Sequence, residues 1–139
     1  MNLDLTGKHA LVCGGSQGIG RAAAVELAQL GADVTLLARS QDALDNTLAT
    51  LPKVHAAQSH ATIAADMTDH AALRVKVEAA ANARPVQILV NNTGGPPGGA
   101  ANSALANEFL AAIRCWLNAA QTLLQAVLQI GRASCRERV

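Results

Sequence analysis

The sequence predicts an α/β fold built on a doubly wound parallel sheet. Short apolar segments typical of buried strands alternate along the chain with longer segments whose apolar residues recur at helical spacing. This alternation indicates right-handed crossovers between parallel strands of one sheet. Half of the 139 residues are hydrophobic and 15% are charged, so the chain has enough apolar surface for a core and is not a disordered tail.

The strands are predicted from short apolar runs bounded by residues that favour turns or helix starts. In chain order the runs are His9–Cys13, Asp33–Ala38, Ala61–Ala65 and Val86–Val90. We expect the sheet order 3-2-1-4, which puts the fourth strand at an edge. Because an apolar edge strand leaves backbone groups unpaired, we also expect marginal stability and a tendency to aggregate.

The first two helices are predicted from helical spacing and from the residues at their ends. Gly31 is a typical C-terminal residue and ends the helix predicted over Gly18–Leu30. Ser40 can cap the second helix, which runs to about Leu51 and is ended by the proline that follows.

The last two helices are predicted in the same way. Thr68 can cap a helix that runs to about Asn82, and a long helix covers roughly Ser103–Leu128 after a loop rich in Gly and Pro. The long helix has a wide apolar face, which we interpret as packing on the sheet. The residues of that face are Leu110, Ile113, Leu117, Leu124 and Leu128.

Charge and composition exclude several classes of protein. The net charge is +1 and no basic cluster is present, which argues against nucleic-acid binding. The N-terminus lacks the features of a signal peptide, and no apolar stretch is long enough to cross a bilayer, so we expect no membrane partner. The three cysteines, Cys13, Cys115 and Cys135, are far apart, which favours a reducing compartment and predicts the cytoplasm.

The first predicted strand runs into a glycine-rich turn that has the features of a dinucleotide site. Gly14 allows a sharp turn, Gly18 lets the backbone approach a pyrophosphate, and Gly20 lets the helix pack closely. The helix N-terminus offers unpaired N–H groups to phosphate. A tight turn without a ligand is the alternative, but the position between strand and helix favours binding. The candidate residues are Gly14, Gly15, Ser16, Gln17, Gly18, Ile19 and Gly20.

The G-x-x-x-G-x-G spacing of this turn, with three further motifs, resembles the short-chain dehydrogenase/reductase family. Leu5-Thr6-Gly7-Lys8 is similar to the family's entry into its first strand. Asp66-Met67 resembles its adenine-contacting position, and Asn91-Asn92-Thr93-Gly94 resembles its Asn-Asn-Ala-Gly motif. The resemblance covers residues 3 to about 128. It implies the N-terminal portion, about four strands, of a Rossmann-type domain, and an oxidoreductase that transfers hydride between a nicotinamide and a carbonyl or alcohol.

Each of the later motifs also has a plain structural interpretation. Asp66 could cap or turn the chain, and Asn91-Asn92-Thr93-Gly94 could be a turn only. An Asn side chain, with its donor and acceptor, is also suited to tying a strand end to a neighbouring turn. Because these candidates follow the carboxyl ends of predicted strands, where open α/β sheets bind ligands, we interpret them as cofactor-binding residues.

Arg39 and Ser40, at the end of the second predicted strand, predict NADP(H) as the cofactor. NAD sites place a carboxylate about twenty residues after the glycines, where it accepts from ribose hydroxyls. A guanidinium cannot accept, but it can make a forked contact with a 2′-phosphate. A solvated surface Arg is the alternative. Gln17 stands where NADP-preferring relatives often carry a basic residue, so selectivity rests on Arg39.

The histidines give no sign of a metal site or of a catalytic pair. None has the spacing of metal ligands or a partner that would position it as a general base. We interpret His9 as a strand residue and His55, His60 and His70 as exposed.

The resemblance implies a Ser-Tyr-Lys catalytic set that the chain lacks. In the family a Tyr made acidic by a Lys protonates the developing alkoxide, and a Ser orients the carbonyl. This chain has no Tyr, and its lysines, Lys8, Lys53 and Lys76, precede the Asn-rich turn that the family's Tyr-x-x-x-Lys follows. The family's Asn on the long helix aligns with Trp116. We therefore assign no catalytic residue and expect the 139-residue chain to be inactive.

The end of the chain departs abruptly from the apolar pattern. The codons ATC-GGA-AGA-GCG-TCG-TGT-AGG-GAA-AGA-GTG, followed by a stop, encode Ile130–Val139 and resemble a common short-read sequencing adapter. A natural Arg-rich tail is the alternative. We therefore expect residues 1–128 to be a truncated NADP(H)-binding domain and residues 129–139 an artefactual tail.

The loop Gly94–Gly98 most resembles the 3-oxoacyl-acyl-carrier-protein-reductase-like branch of the family. That branch implies a small-molecule or acyl-carrier-bound carbonyl substrate, and a homo-oligomer that uses the long helix. A non-catalytic dinucleotide-binding or sensing module is the alternative function. A methyltransferase on a similar sheet is disfavoured, because it has no use for Arg39 or the Asn-rich turn.

Overall fold

The computed structural model describes residues 3–93 and 106–136, and within the last helix it describes the side chains of residues 110–128 except Cys115. In chain order the elements are β1 (His9–Cys13), α1 (Gly18–Gln29), β2 (Asp33–Ala38), α2 (Gln41–Leu48), β3 (Ala61–Ala64), α3 (His70–Ala83), β4 (Ile88–Val90) and α4 (Ala106–Arg136). The strands are parallel and lie in the order β3-β2-β1-β4. The predicted α/β fold and strand order are confirmed.

The two central strands carry the core on both faces of the sheet. Every residue of β1 and β2 is buried, as their continuous apolar runs predict. One face packs Val12 and Leu36 against residues of α1 and against Leu44 of α2. The other packs Leu11, Leu37 and residues of α3 and α4. Helices therefore cover both faces, which is the doubly wound arrangement.

The middle of the chain differs from the prediction at two helix ends. The helix α2 ends at Leu48, because the hydrogen bonds from Thr50 to Thr47 and from Leu51 to Leu48 tighten the chain into turns. Asp69, not Thr68, caps α3, since its carboxylate accepts from the backbone N–H of Ala72 at 3.0 Å.

The long helix α4 corrects two further predictions. It continues beyond Leu128 to Arg136, because the Ala and Arg residues of that segment favour helix although the apolar pattern has ended. Among the side chains of residues 110–128 that the structure describes, the buried ones are Ala119, Leu123 and Ala126. Most of the face that we interpreted as core is instead exposed, because α4 carries apolar residues on more than one side. The exposed residues are Leu110, Leu117, Leu124 and Leu128.

A polar cluster closes the amino ends of β1 and β2. His9 is buried, with Nδ1 3.2 Å from the carbonyl oxygen of Pro85 and Nε2 2.8 Å from the hydroxyl of Thr35. Because a carbonyl can only accept, the proton lies on Nδ1 and the neutral ring accepts at Nε2. Beside it, the buried carboxylate of Asp33 pairs with the guanidinium of Arg84. These contacts tie both strands to the segment that precedes β4.

Three other histidines are half-buried, not exposed as predicted. His60 accepts from the backbone N–H of Val34 at 3.2 Å, and its other ring nitrogen donates to the carbonyl of Pro52 at 3.0 Å. His55 donates to the carbonyl of Gly31 at 3.1 Å. The rings of His55 and His60 thus satisfy backbone groups at the ends of strands and helices, a role that spacing along the sequence does not reveal.

The burial of His9 predicts a loss of stability in mild acid. Burial lowers the pKa of His9 below its ordinary value of 6.5. The unfolded chain therefore binds a proton first as the pH falls, so His9 reduces the free energy of unfolding below about pH 6.5 and contributes no pH dependence well above it. Urea titrations between about pH 8 and pH 5 measure this dependence. His9→Gln should flatten it relative to wild type, and an equal slope in the variant would contradict the assignment.

Candidate functional site

The candidate residues gather at the carboxyl edge of the sheet. The glycine turn follows β1, Arg39 and Ser40 follow β2, and Asp66 and Met67 follow β3. Asn91–Thr93 follow β4, and Gly94 lies outside the described residues. All the described candidates thus lie along the one edge where parallel α/β sheets bind ligands.

Gly14, Gly20 and Asn92 form the closely packed base of the turn. Gly14 has a φ of +61°, and a Cβ there would stand 2.5 Å from Asn92 Nδ2. A Cβ on Gly20 would meet the carbonyl of Gly14 and lie 2.9 Å from the same Nδ2. Asn92 Nδ2 also donates to the carbonyl of Cys13 at 3.4 Å. The end of β4 is therefore tied to the end of β1, and the glycines are needed for that approach.

The start of α1 is open where the base is closed. Gly18 has a φ of +55°, and nothing lies within 4 Å of the position that a Cβ would take. Gln17, the N-cap residue, makes no side-chain cap bond, and the first turn holds no acidic residue. By contrast, Ser40 caps α2 and Asp69 caps α3. The positive end of α1 therefore presents N–H groups without a side-chain acceptor, which suits a diphosphate.

Two hydrogen bonds hold the middle of the turn, Gly15 and Ser16, against β2 and α2. Gly15 donates its N–H to the carbonyl of Leu37 at 3.2 Å. The carbonyl of Ser16 accepts from the hydroxyl of Thr47, which is buried on α2, at 3.1 Å. Gln17 and Ile19 are exposed beside the open backbone. Residue type and spacing do not single out Thr47, because a helical Thr is most often a surface or back-bonding residue.

Arg39 extends from the end of β2 into solvent. Across residues 3–93 and 106–136 its guanidinium makes no ion pair and no side-chain hydrogen bond. The hydroxyl of Ser40 accepts from the N–H of Ala43 at 3.3 Å, and so it can still donate to an anion. A forked donor beside a hydroxyl is suited to a phosphate monoester.

Asp66 is held as an acceptor close to this group. Its carboxylate accepts from the backbone N–H and from the hydroxyl of Thr68, each at 2.8 Å. These bonds lower the pKa of Asp66, and the charge of Arg39 lowers it further. Asp66 is therefore ionised at neutral pH and can accept from an amine or hydroxyl of a ligand.

The remaining described candidates, Met67, Asn91 and Thr93, lie at the same edge of the sheet. Met67 packs against the core face that contains Leu11 and Leu37, and Asn91 is exposed. The hydroxyl oxygen of Thr93 is shielded from solvent and has no hydrogen-bond partner among the described residues. Such an oxygen suits contact with a ligand or with the chain that follows it.

Other chemistries have little support in the described part of the chain. No group of three His, Cys, Asp or Glu side chains could hold a metal ion there. Burial raises the pKa of the Cys13 thiol to about 12, so it is no nucleophile at neutral pH. Trp116 and Asn118 are exposed on α4. Of the described helices, none combines the length and apolarity that crossing a bilayer requires.

A parallel sheet with an open glycine turn at its carboxyl edge defines the Rossmann-like class of α/β proteins. The family model for short-chain dehydrogenases matches residues 8–134, and the chain belongs to this family of oxidoreductases. L-xylulose reductase of Mesocricetus auratus is 36% identical over 92 residues, which are 66% of this chain and 34% of the relative. The chain therefore spans about a third of the length of that relative.

Solved structures give the same result. A metagenomic short-chain oxidoreductase in complex with NADP is 32% identical with a TM-score of 0.78, over 94% of this chain and 59% of the other. L-sorbose reductase of Gluconobacter frateurii, complexed with NADPH and L-sorbose, is 27% identical with a TM-score of 0.81, over 96% and 51%. The resemblance inferred from the four motifs is confirmed at the level of the family.

Proposed function

We propose that this chain is the cofactor-binding part of an NADP(H)-dependent oxidoreductase that transfers hydride between the nicotinamide and a carbonyl or alcohol. The observation that carries the proposal is the pairing of two anion sites at one sheet edge. The uncapped start of α1 behind Gly18 suits the diphosphate, and the unpaired guanidinium of Arg39 suits a further phosphate.

NADP(H) is favoured over NAD(H) by the residues at the end of β2. Arg39 and Ser40 stand where a carboxylate would accept from the ribose hydroxyls of NAD. The solved structures with NADP and NADPH have the same fold as this chain and support the same choice. When bound, the cofactor supplies the hydride. The residues described here bind its phosphates, hold its adenosine end at Asp66 and Arg39, and fix its position on the sheet.

The substrate is proposed from the family resemblance. A small-molecule or acyl-carrier-bound carbonyl, as in 3-oxoacyl-acyl-carrier-protein reductases, follows from the loop Gly94–Gly98, which lies outside the described residues. The similarity to L-xylulose reductase and to L-sorbose reductase supports a carbonyl substrate in general. The exposed leucines of α4 are consistent with a homo-oligomer. Location in the cytoplasm stays a prediction from the dispersed cysteines.

Calorimetric titration of the 139-residue chain with NADP⁺ and NAD⁺ tests the proposal. We expect NADP⁺ to bind at least tenfold more tightly, because a charge-assisted contact contributes about 1.5–3 kcal/mol. We also expect no NADPH-dependent reduction of a carbonyl substrate, because the chain has no Tyr to donate the proton. Equal affinities would refute the cofactor assignment, and measurable turnover would refute the expected inactivity.

The same absence of Tyr supports a second candidate, a dinucleotide-binding or sensing module that is not catalytic. A module of this kind binds NADP(H) tightly and specifically as it stands. Restoring activity by mixing the chain with a separately expressed catalytic half from a relative would favour the enzyme over the module. Tight binding without any such complementation would favour the module.

A further inference from the structure

We propose that Thr47 is a positioning residue, which joins the glycine turn to α2 and so sets the spacing between the two phosphate sites. The inference rests on the proposed function. Thr47 lies on neither phosphate site, and it acts through the backbone of Ser16 on one side and through α2 on the other.

The first link runs from Thr47 to the turn. The Thr47 side chain is buried, and its hydroxyl lies 3.1 Å from the carbonyl oxygen of Ser16, a residue 31 positions earlier in the chain. Within the described residues, no other hydrogen bond joins the turn 14–17 to α2. Ser16 is two residues from Gly18, where the open backbone begins. A shift of Ser16 relative to α2 therefore changes the distance between the N–H groups that face the diphosphate and the start of α2.

The second link runs from Thr47 to the start of α2. The Thr47 hydroxyl also lies 3.0 Å from the carbonyl oxygen of Ala43, one turn earlier, so its single proton is shared between the carbonyls of Ser16 and Ala43. The N–H of Ala43 donates to the Ser40 hydroxyl at 3.3 Å. Ser40 is adjacent to Arg39, the candidate for the 2′-phosphate. One hydroxyl thus contacts both the turn and the helix whose first residues follow Arg39.

The consequence concerns ligands that engage both sites at once. NADP⁺ carries a diphosphate and a 2′-phosphate at a fixed separation, so its affinity depends on how well that separation is preset. NAD⁺ lacks the 2′-phosphate and depends much less on the position of α2. Loss of the Thr47 hydroxyl should therefore weaken NADP⁺ more than NAD⁺. A helical Thr that only stabilises the fold would leave the ratio of the two affinities unchanged.

The test compares Thr47→Val, which keeps the shape and removes the hydroxyl, with Thr47→Ser, which keeps the hydroxyl. We expect Thr47→Val to lower NADP⁺ affinity about three- to tenfold and NAD⁺ affinity less than about twofold, the range of a single neutral hydrogen bond. Thr47→Ser should restore most of the difference. Combining Thr47→Val with Arg39→Ala should remove most of the Thr47 effect on NADP⁺, because the second anchor is then gone.

Hydrogen exchange without cofactor separates this inference from the proposed function. We expect the hydrogen-bonded amides of Gly15, which donates to Leu37, and of Arg21, which donates to Gln17, to exchange faster in Thr47→Val than in wild type, while the amides of β1 and β2 are unchanged. Unaltered exchange at Gly15 and Arg21, or an unaltered ratio of NADP⁺ to NAD⁺ affinity, would overturn the role of Thr47. A wild-type chain that binds neither nucleotide, with the faster exchange still present in the variant, would overturn the proposed function and keep the Thr47 link.

Discussion

Arg39→Asp is expected to reverse the cofactor preference of the chain. The substitution removes a forked donor and places a carboxylate where the 2′-phosphate of NADP⁺ would lie, close to the ionised Asp66. Loss of one charge-assisted contact costs about 1.5–3 kcal/mol, so NADP⁺ affinity should fall at least ten- to a hundredfold. The new carboxylate can accept from ribose hydroxyls, so NAD⁺ affinity should hold or rise. Calorimetric titration with both nucleotides measures the reversal.

Lys53→Asp is the matched control for this change. Lys53 is exposed beside Pro52, whose carbonyl contacts His60 near the start of β2, and its substitution alters the net charge by the same amount. If both variants weakened NADP⁺ equally, the effect would be one of overall charge, and Arg39 would have no specific role. Retention of NADP⁺ preference by Arg39→Asp would also contradict the assignment.

Gly18→Ala is expected to weaken nucleotide binding by more than about tenfold while leaving the chain folded. The added Cβ meets no protein atom within 4 Å, so it projects into the space where the diphosphate would approach. The cost to folding is that of an Ala at a φ of +55°, about 1–2 kcal/mol. We expect NADP⁺ affinity to fall more than about tenfold, since the diphosphate can no longer reach the helix N–H groups.

Gly7→Ala separates the loss of binding from the loss of stability. Gly7 has a φ of +77° and also has nothing within 4 Å of a Cβ, but it lies before β1 at the opposite edge of the sheet. The two variants should therefore have similar urea midpoints, and only Gly18→Ala should bind NADP⁺ more weakly. Equal affinities in the two variants would show that the space beside Gly18 holds no phosphate.

Much of the fold was predictable because its signals are local. The bounds of β1 and β2 follow from uninterrupted apolar runs, and the glycine turn follows from spacing within a few residues. The face of α4 was not predictable, because both Leu117 and Leu123 belong to apolar stripes and only packing shows that Leu123 is the buried one. Thr68 and Asp69 are adjacent candidates for a cap. The bond of Thr68 to Asp66 leaves Asp69 as the cap of α3.

In the candidate site, too, local sequence predicts some residues and misses the contacts between distant ones. Residue type and position predict Gly14, Gly18 and Arg39, since sharp turns and phosphate contacts each restrict the residue that can serve. The contact between Thr47 and Ser16 joins residues 31 positions apart and leaves no trace in local composition. The Asn-rich motif predicts Asn92 as a site residue, but its close approach to Gly14 and Gly20 is a long-range contact that the motif does not show. Long-range contacts of single side chains are what the sequence did not reveal.

The polar cluster of His9, Asp33 and Arg84 lies at the far end of the strands from the glycine turn. A five-residue strand such as β1 spans about 16 Å, well beyond the distance at which substitutions interact energetically. Libraries that raise thermal tolerance could therefore be confined to that end of the sheet. Variants selected there should keep the same ratio of NADP⁺ to NAD⁺ affinity. Changes in the free energy of unfolding from substitutions at the two ends of the sheet should be additive.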